Sequence, residues 1–180
     1  MNTLTPPIGK RDHIRGNPRA PVSLVEYGDF ECPYCGEAYP IIEQILEERG
    51  DELLFAFRHF PLSQIHPHAL HAAAAAEAAG FQGKFWEMHG MLFTHQDALE
   101  DEDLVSYAEA LDLDTKLFVD DMASNKVQQK IREDFLSGVR SGVNGTPTFF
   151  INGRRHEGSY DYDTLLAAID SVQEGRHAMV

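Results

Sequence analysis

Cysteine is nearly absent from this chain: among 180 residues there are two, Cys32 and Cys35. A framework of disulfides is therefore excluded as the source of stability, and with 43% hydrophobic residues none is needed. Positive charge is also scarce. Lys and Arg number 15 against 29 Asp and Glu, a formal net charge of −14, which argues against nucleic acid and anionic membrane surfaces as partners. No apolar run reaches the length of a membrane-spanning helix, so membrane insertion is not expected. The opening stretch, MNTLTPPIGKRDHIRGNPRAP, lacks the apolar core of a secretory leader. The expected location is cytoplasmic, with a periplasmic or extracellular one as the alternative if a leader has been removed. Repeats and low-complexity linkers are missing apart from an alanine run, which leaves one ordinary domain, or one domain carrying an insertion. The expected state is monomeric.

The two cysteines stand three positions apart in Phe30-Glu31-Cys32-Pro33-Tyr34-Cys35-Gly36. The motif follows a strand-like run and precedes a helical one. That setting suits a dithiol redox pair. The first thiol meets the unpaired N–H groups and positive end of a helix, and the second lies one turn away to resolve a mixed disulfide.

Along the chain, residues 1–11 hold Pro6 and Pro7 without periodicity and read as a flexible tail. Asp12 to Gly16 suits a short edge strand, and Val22 to Tyr27 a buried one with Glu26 as its anomaly. Tyr39, Ile42, Ile45 and Leu46 mark a helix from Cys32 to about Glu48, kinked at Pro40 and closed by Gly50. Leu53 to Phe60 is the next strand. The stretch 62–142 is helical throughout: Leu70–Ala79 stopped by Gly80, Lys84–His95, then a helix with an acidic first turn at Glu100–Asp103. Two more follow, capped by Asp114 and Asn125. Thr148–Ile151, the turn Asn152-Gly153 and Arg154–Glu157 read as a hairpin, and Leu165 to Val172 as a last helix.

The order β-α-β, helices, β-β-α describes an α/β chain that resembles the thioredoxin fold with an inserted all-helical domain. On this reading 12–61 and 143–175 are the two halves of a thioredoxin-like domain and 62–142 is the insert. The segments EYGDFECPYC, FRHFPL, HPHALHAA, KFWEMHGMLF and GVNGTPTFFING, in this order, resemble the DsbA-like dithiol oxidoreductases, in particular the branch with a Thr-Pro loop. The resemblance covers about 12 to 170. It implies that Cys32 is the nucleophile, that Cys35 resolves, and that Pro33 and Tyr34 tune the potential. It also implies that Glu26 is a buried acid near Cys35, relaying its proton, and that Thr146-Pro147 is a cis peptide facing the cysteines and docking substrate. Position alone leaves Glu26 open to being a solvent-facing edge glutamate, and Pro147 to being a plain turn proline.

The expected function is thiol–disulfide exchange with protein or peptide substrates, needing no cofactor and a redox-recycling partner yet to be identified. The direction of electron flow stays open. The alternative is a metal or iron–sulfur module built on the Cys pair, which needs two further ligands. A third reading is a redox-inert peptide-binding domain. His66, His68 and His71 have a ligand-like spacing, but polar residues at a helix entry are the favoured reading, and no metal ligand is assigned. His59 and His89 read as core-edge residues. Phe85, Trp86, Met88 and Met91 read as core, with a groove lining as the lesser reading.

Overall fold

The computed structural model describes residues 3–177. In chain order it contains β1 (His13–Gly16), β2 (Val22–Gly28), α1 (Pro33–Arg49) and β3 (Leu53–His59). Five helices follow: α2 (Ala69–Phe81), α3 (Phe85–Thr94), α4 (Asp101–Ala110), α5 (Thr115–Met122) and α6 (Asn125–Arg140). The chain closes with β4 (Thr148–Ile151), β5 (Arg154–Arg155) and α7 (Tyr162–His177). No helix among the described residues is long and apolar enough to cross a membrane.

The strands form one sheet in the order β1-β3-β2-β4-β5, with β2 and β3 parallel and the other pairs antiparallel. The central place of β2 decides what Glu26 can do. Its register neighbours are Phe57 on β3 and Phe149 on β4, so neither edge of the strand meets water. Side chains alternate across a strand. Val22 and Leu24 face the larger core with Phe55, Phe57 and the apolar face of α1, while Val25 and Tyr27 face a smaller core with Ala56, Phe60 and Phe150. Glu26 shares the parity of Val22 and Leu24 and is directed to the α1 side, where Cys32 and Cys35 also lie.

Several boundaries differ from expectation. Helix α1 runs through Pro40 without a break, the proline lying on its exposed face. Gly80 does not stop α2, which ends at Phe81, two residues before Gly83 with φ 77°. Ser124, not Asn125, caps α6, its hydroxyl accepting from Val127 N. The return strand is only Arg154–Arg155; Asn152 and Gly153, at φ 45° and 79°, make the tight turn before it.

Residues 3–11 are not a loose tail. Thr3 bridges to Arg154, and Leu4 is buried with Val25 and Phe150. The cause is Arg58 on β3, whose side chain is 3% exposed. Its five N–H groups donate to Asp12 Oδ1 and Oδ2, Tyr27 Oη, and the carbonyls of Pro6 and Pro7. All donors of a buried guanidinium are thereby met.

Removing one partner of such a pair leaves a buried charge uncompensated. Asp12→Ala is expected to cost about 3 kcal/mol of stability, read as a lower midpoint in urea. A loss below about 1 kcal/mol would show that the pair does not hold the segment.

Candidate active site

Cys32 is the residue before the first turn of α1, with Pro33 at the first helical position. Pro33 lacks an N–H that would have been unpaired anyway and has its φ preset for the helix. The sulfur of Cys32 thus occupies the place where a capping oxygen usually sits, and as a neutral thiol it makes no capping hydrogen bond. As a thiolate it attracts what surrounds it. Donation from the Cys35 thiol, the Thr146 side chain and the amides of Cys35 and Tyr34 outweigh burial and hold the Cys32 pKa down to about 5.

Cys35 lies one turn inward and is fully buried. Burial first, then its donation to Cys32 and the nearby Glu26 charge, push its thiol well above the ordinary range. Glu26 is 2% exposed, and its Oε1 has no hydrogen-bond partner among the described residues. Desolvation, with a smaller contribution from Cys32, raises its carboxyl to about 8. At neutral pH the pair therefore holds an ionised outer sulfur above a protonated inner thiol and a protonated acid.

The loop after α6 completes the site. Thr146-Pro147 is a cis peptide, as the resemblance implied, and in its protonated form the Cys32 sulfur donates to Thr146 O at 3.4 Å. Arg155 secures this loop through Gly142 O and Asn144 Oδ1, and Thr148 Oγ1 donates to Gly145 O. Thr146 Oγ1 is buried and makes no ordinary hydrogen bond. It is the group beside Cys32 that an ionised sulfur can recruit. Tyr34 is 59% exposed beside the cysteines, and Pro33 is exposed as well.

Two residues at the site carried no signal in the sequence reading. Asp29 is buried. Its Oδ1 accepts from Glu31 N, and its Oδ2 accepts from Leu62 N and binds His66 Nδ1 at 2.8 Å. It fastens the turn before Cys32 to the chain entering the helical segment. Gln96, from the turn after α3, reaches the carbonyls of Phe30 and Cys32.

The histidines do not gather. His66 pairs with Asp29, His68 with Glu100 and His71 with Asp101. His59 and His89 lie in the core, not at its edge: His59 bonds Glu77, and His89 packs among Phe30, Phe57 and Phe93. Phe85 and Met88 are core residues as well. The one trio among the described residues close enough to share a metal ion is His59, Glu77 and Asp134, which includes neither cysteine. Lys130 Nζ, 2.5 Å from Asp134, already supplies a cation there.

The sequence model of the thioredoxin family matches residues 9–171. A thioredoxin-like oxidoreductase from Silicibacter pomeroyi is 26% identical and superposes with a TM-score of 0.83, covering 92% of this chain and 94% of that one. The thiol-disulfide exchange protein alpha-DsbA2 from Wolbachia pipientis is 25% identical, with a TM-score of 0.81 over 91% of this chain and 88% of its own. Among curated sequences, a protein from Salinispora arenicola named Na(+)/H(+) antiporter NhaA 1 is 49% identical over 175 residues. That match takes in 97% of this chain and 27% of the relative. The chain thus spans about a quarter of the length of the curated relatives it matches.

The depressed value at Cys32 carries a pH dependence. Its folded-state pKa of about 5 lies below the ordinary 9.0, so ionisation stabilises the reduced fold fully above the ordinary value. That gain is lost as pH falls through the lower one. The oxidised form has no such thiol. The reduced form should therefore gain thermal stability relative to the oxidised form as pH rises from about 5 toward 9. Melting both forms across that range checks this, and a flat difference would refute the depressed value.

Proposed function

The chain belongs to the thioredoxin family, and we propose that it works as a DsbA-like thiol–disulfide oxidoreductase that oxidises protein dithiols. The observation that carries this reading is the asymmetry of the pair: Cys32 is held at about 5, and Cys35 well above the ordinary thiol range. A stabilised thiolate favours the reduced form of the protein, which makes its disulfide an oxidant.

In this direction a substrate thiolate attacks the sulfur of Cys32 in the oxidised protein. The bond from substrate sulfur to Cys32 forms, the Cys32–Cys35 bond breaks, and Cys35 leaves with the electron pair. With so high a pKa, Cys35 needs a proton, and the uncharged Glu26 carboxyl supplies it. A second substrate thiolate then attacks the substrate's own sulfur in the mixed disulfide, closing the substrate disulfide and releasing Cys32 as its stable thiolate. Two electrons pass from the substrate to the cysteine pair. Pro33 and Tyr34 set the dipoles of the first turn. The cis Thr146-Pro147 backbone faces the reacting sulfur and gives an extended peptide a place to pair.

The partners are protein or peptide thiols and a disulfide-bearing protein that reloads the pair. An oxidant of this kind suits a compartment where thiols are not kept reduced, the alternative location raised by the sequence. In the relatives named as antiporters the matching stretch is about a quarter of a longer polypeptide.

Equilibration with glutathione tests the direction. A potential near the thioredoxin end, about −270 mV, would rule out the oxidant role, and one toward about −120 mV supports it. Cys32→Ser and Cys35→Ser should each abolish dithiol oxidation, and Cys35→Ser, which keeps the Cys32 thiolate, should trap a mixed disulfide only when it is offered a substrate disulfide. Glu26→Gln should slow release of Cys35 roughly a hundredfold below pH 8, measured by single-turnover oxidation of a dithiol peptide. An unchanged rate would remove Glu26 from the mechanism.

A further inference from the structure

The helical segment reaches the cysteine turn through a side chain, Gln96, in the turn between α3 and α4. Its Nε2 donates to Phe30 O and Cys32 O, each at 2.8 Å. Two carbonyls facing one end of the amide fix which end carries the NH₂ group, since only that end donates. Cys32 O also accepts the first helical bond of α1, from Gly36 N at 3.1 Å. The other end of the amide fills the space above Gly36. A methyl group built on Gly36 would lie 2.0 Å from Gln96 Oε1 and 2.7 Å from its Cδ. Glycine is the poorest helix former after proline, and its presence right after Cys35 is explained by the side chain lying over it.

The consequence is electrostatic as well as mechanical. Carbonyl oxygens on either side of a thiolate carry partial negative charge. An N–H bonded to them offsets that charge and adds its own positive end to the helix terminus. The same two bonds hold the backbone of Phe30 and Cys32 in the one arrangement that directs the first-turn amides at the sulfur.

We propose that Gln96 is a positioning residue for Cys32: it clamps the carbonyls of Phe30 and Cys32 from the helical segment and so sets the stability of the Cys32 thiolate. Gly36 is the second half of the device, because it leaves the amide its room. This inference rests on the dithiol reading above.

Gln96→Met keeps the length and the packing of the stem and removes the donor. The ultraviolet absorbance of the thiolate should then titrate about one pH unit higher, with the glutathione equilibrium shifted about tenfold toward the disulfide form. Gly36→Ala displaces the amide by a different route and should move the titration the same way. Its helix propensity is improved, so it carries the test alone if Gln96→Met fails to fold. In a Gln96→Ala background the added methyl has room, and Gly36→Ala should cause no further shift. A variant that melts earlier but titrates like the parent would reduce Gln96 to a structural tie and overturn the proposal, as would shifts that simply add. The titration needs no exchange activity. A parent protein that fails to equilibrate with glutathione therefore refutes the dithiol reading, while the titration still decides the clamp.

Discussion

The first turn of α1 has N–H groups that no carbonyl within the helix can reach, and the site depends on what is set against them. Elsewhere in the chain an oxygen does this work: Asp114 Oδ1 accepts from Leu117 N, and the Ser124 hydroxyl from Val127 N. At α1 the residue in that place is Cys32, whose sulfur caps poorly as a thiol and well as a thiolate. The helix therefore favours ionisation of the atom that reacts. The surroundings keep it so. Asp29 fixes the approach to the turn, Gln96 holds its carbonyls, and the loop at Thr146-Pro147 closes over the sulfur.

Buried polar groups among the described residues are either paired or unmet. Arg58 has all five donors met, and Glu77 binds His13 and His59, which outweigh its burial and hold its carboxyl far below the usual range, with Lys130 close by. These groups are paired and serve the fold. The unmet groups lie in two places: Glu26 Oε1 and Thr146 Oγ1 at the cysteine pair, and His59 Nδ1 with both ring nitrogens of His89 among the core aromatics. An unmet buried polar group costs roughly 1–3 kcal/mol. At the cysteine pair the cost falls where a proton or a thiolate supplies the missing partner in the proposed exchange.

How much of this could be read from the sequence follows from how local each signal is. The Cys pair, the strand before it and the helix after it are neighbours in the chain, so spacing and periodicity find them. Glu26 is visible as an anomaly, but its burial needs the strand order: β2 is central only because β3 and β4 flank it. The cis peptide at Pro147 came from resemblance, since no local pattern marks it. The contacts by which Asp29 and Gln96 tie the cysteine turn to the helical segment left no trace because they cross 33 and 66 residues and belong to no periodic face. The N-terminal segment misled for the same reason. Two prolines without periodicity read as a loose tail, and the side chain that ties them down is Arg58, 52 residues away from Pro6.

The pKa values also bear on which way the proposed chemistry runs. A thiol near 5 is already almost wholly ionised at neutral pH. Lowering it that far adds little more thiolate for attack, and intrinsic nucleophilicity falls as pKa falls. What continues to improve is departure, because a lower pKa leaves faster. Cys32 is thus better suited to being the sulfur displaced in the last step of substrate oxidation than to being the attacker in a reduction. The inner pair complements it. Cys35 is a poor leaving group by itself, and an acid held near 8 beside it is protonated at the pH where the first displacement needs a proton. Both departures that oxidation requires are eased, one by a depressed pKa at the helix terminus and the other by a raised one in the core. In the reverse direction Cys35 would have to lose its proton to attack, and the same burial that raises its pKa opposes that step.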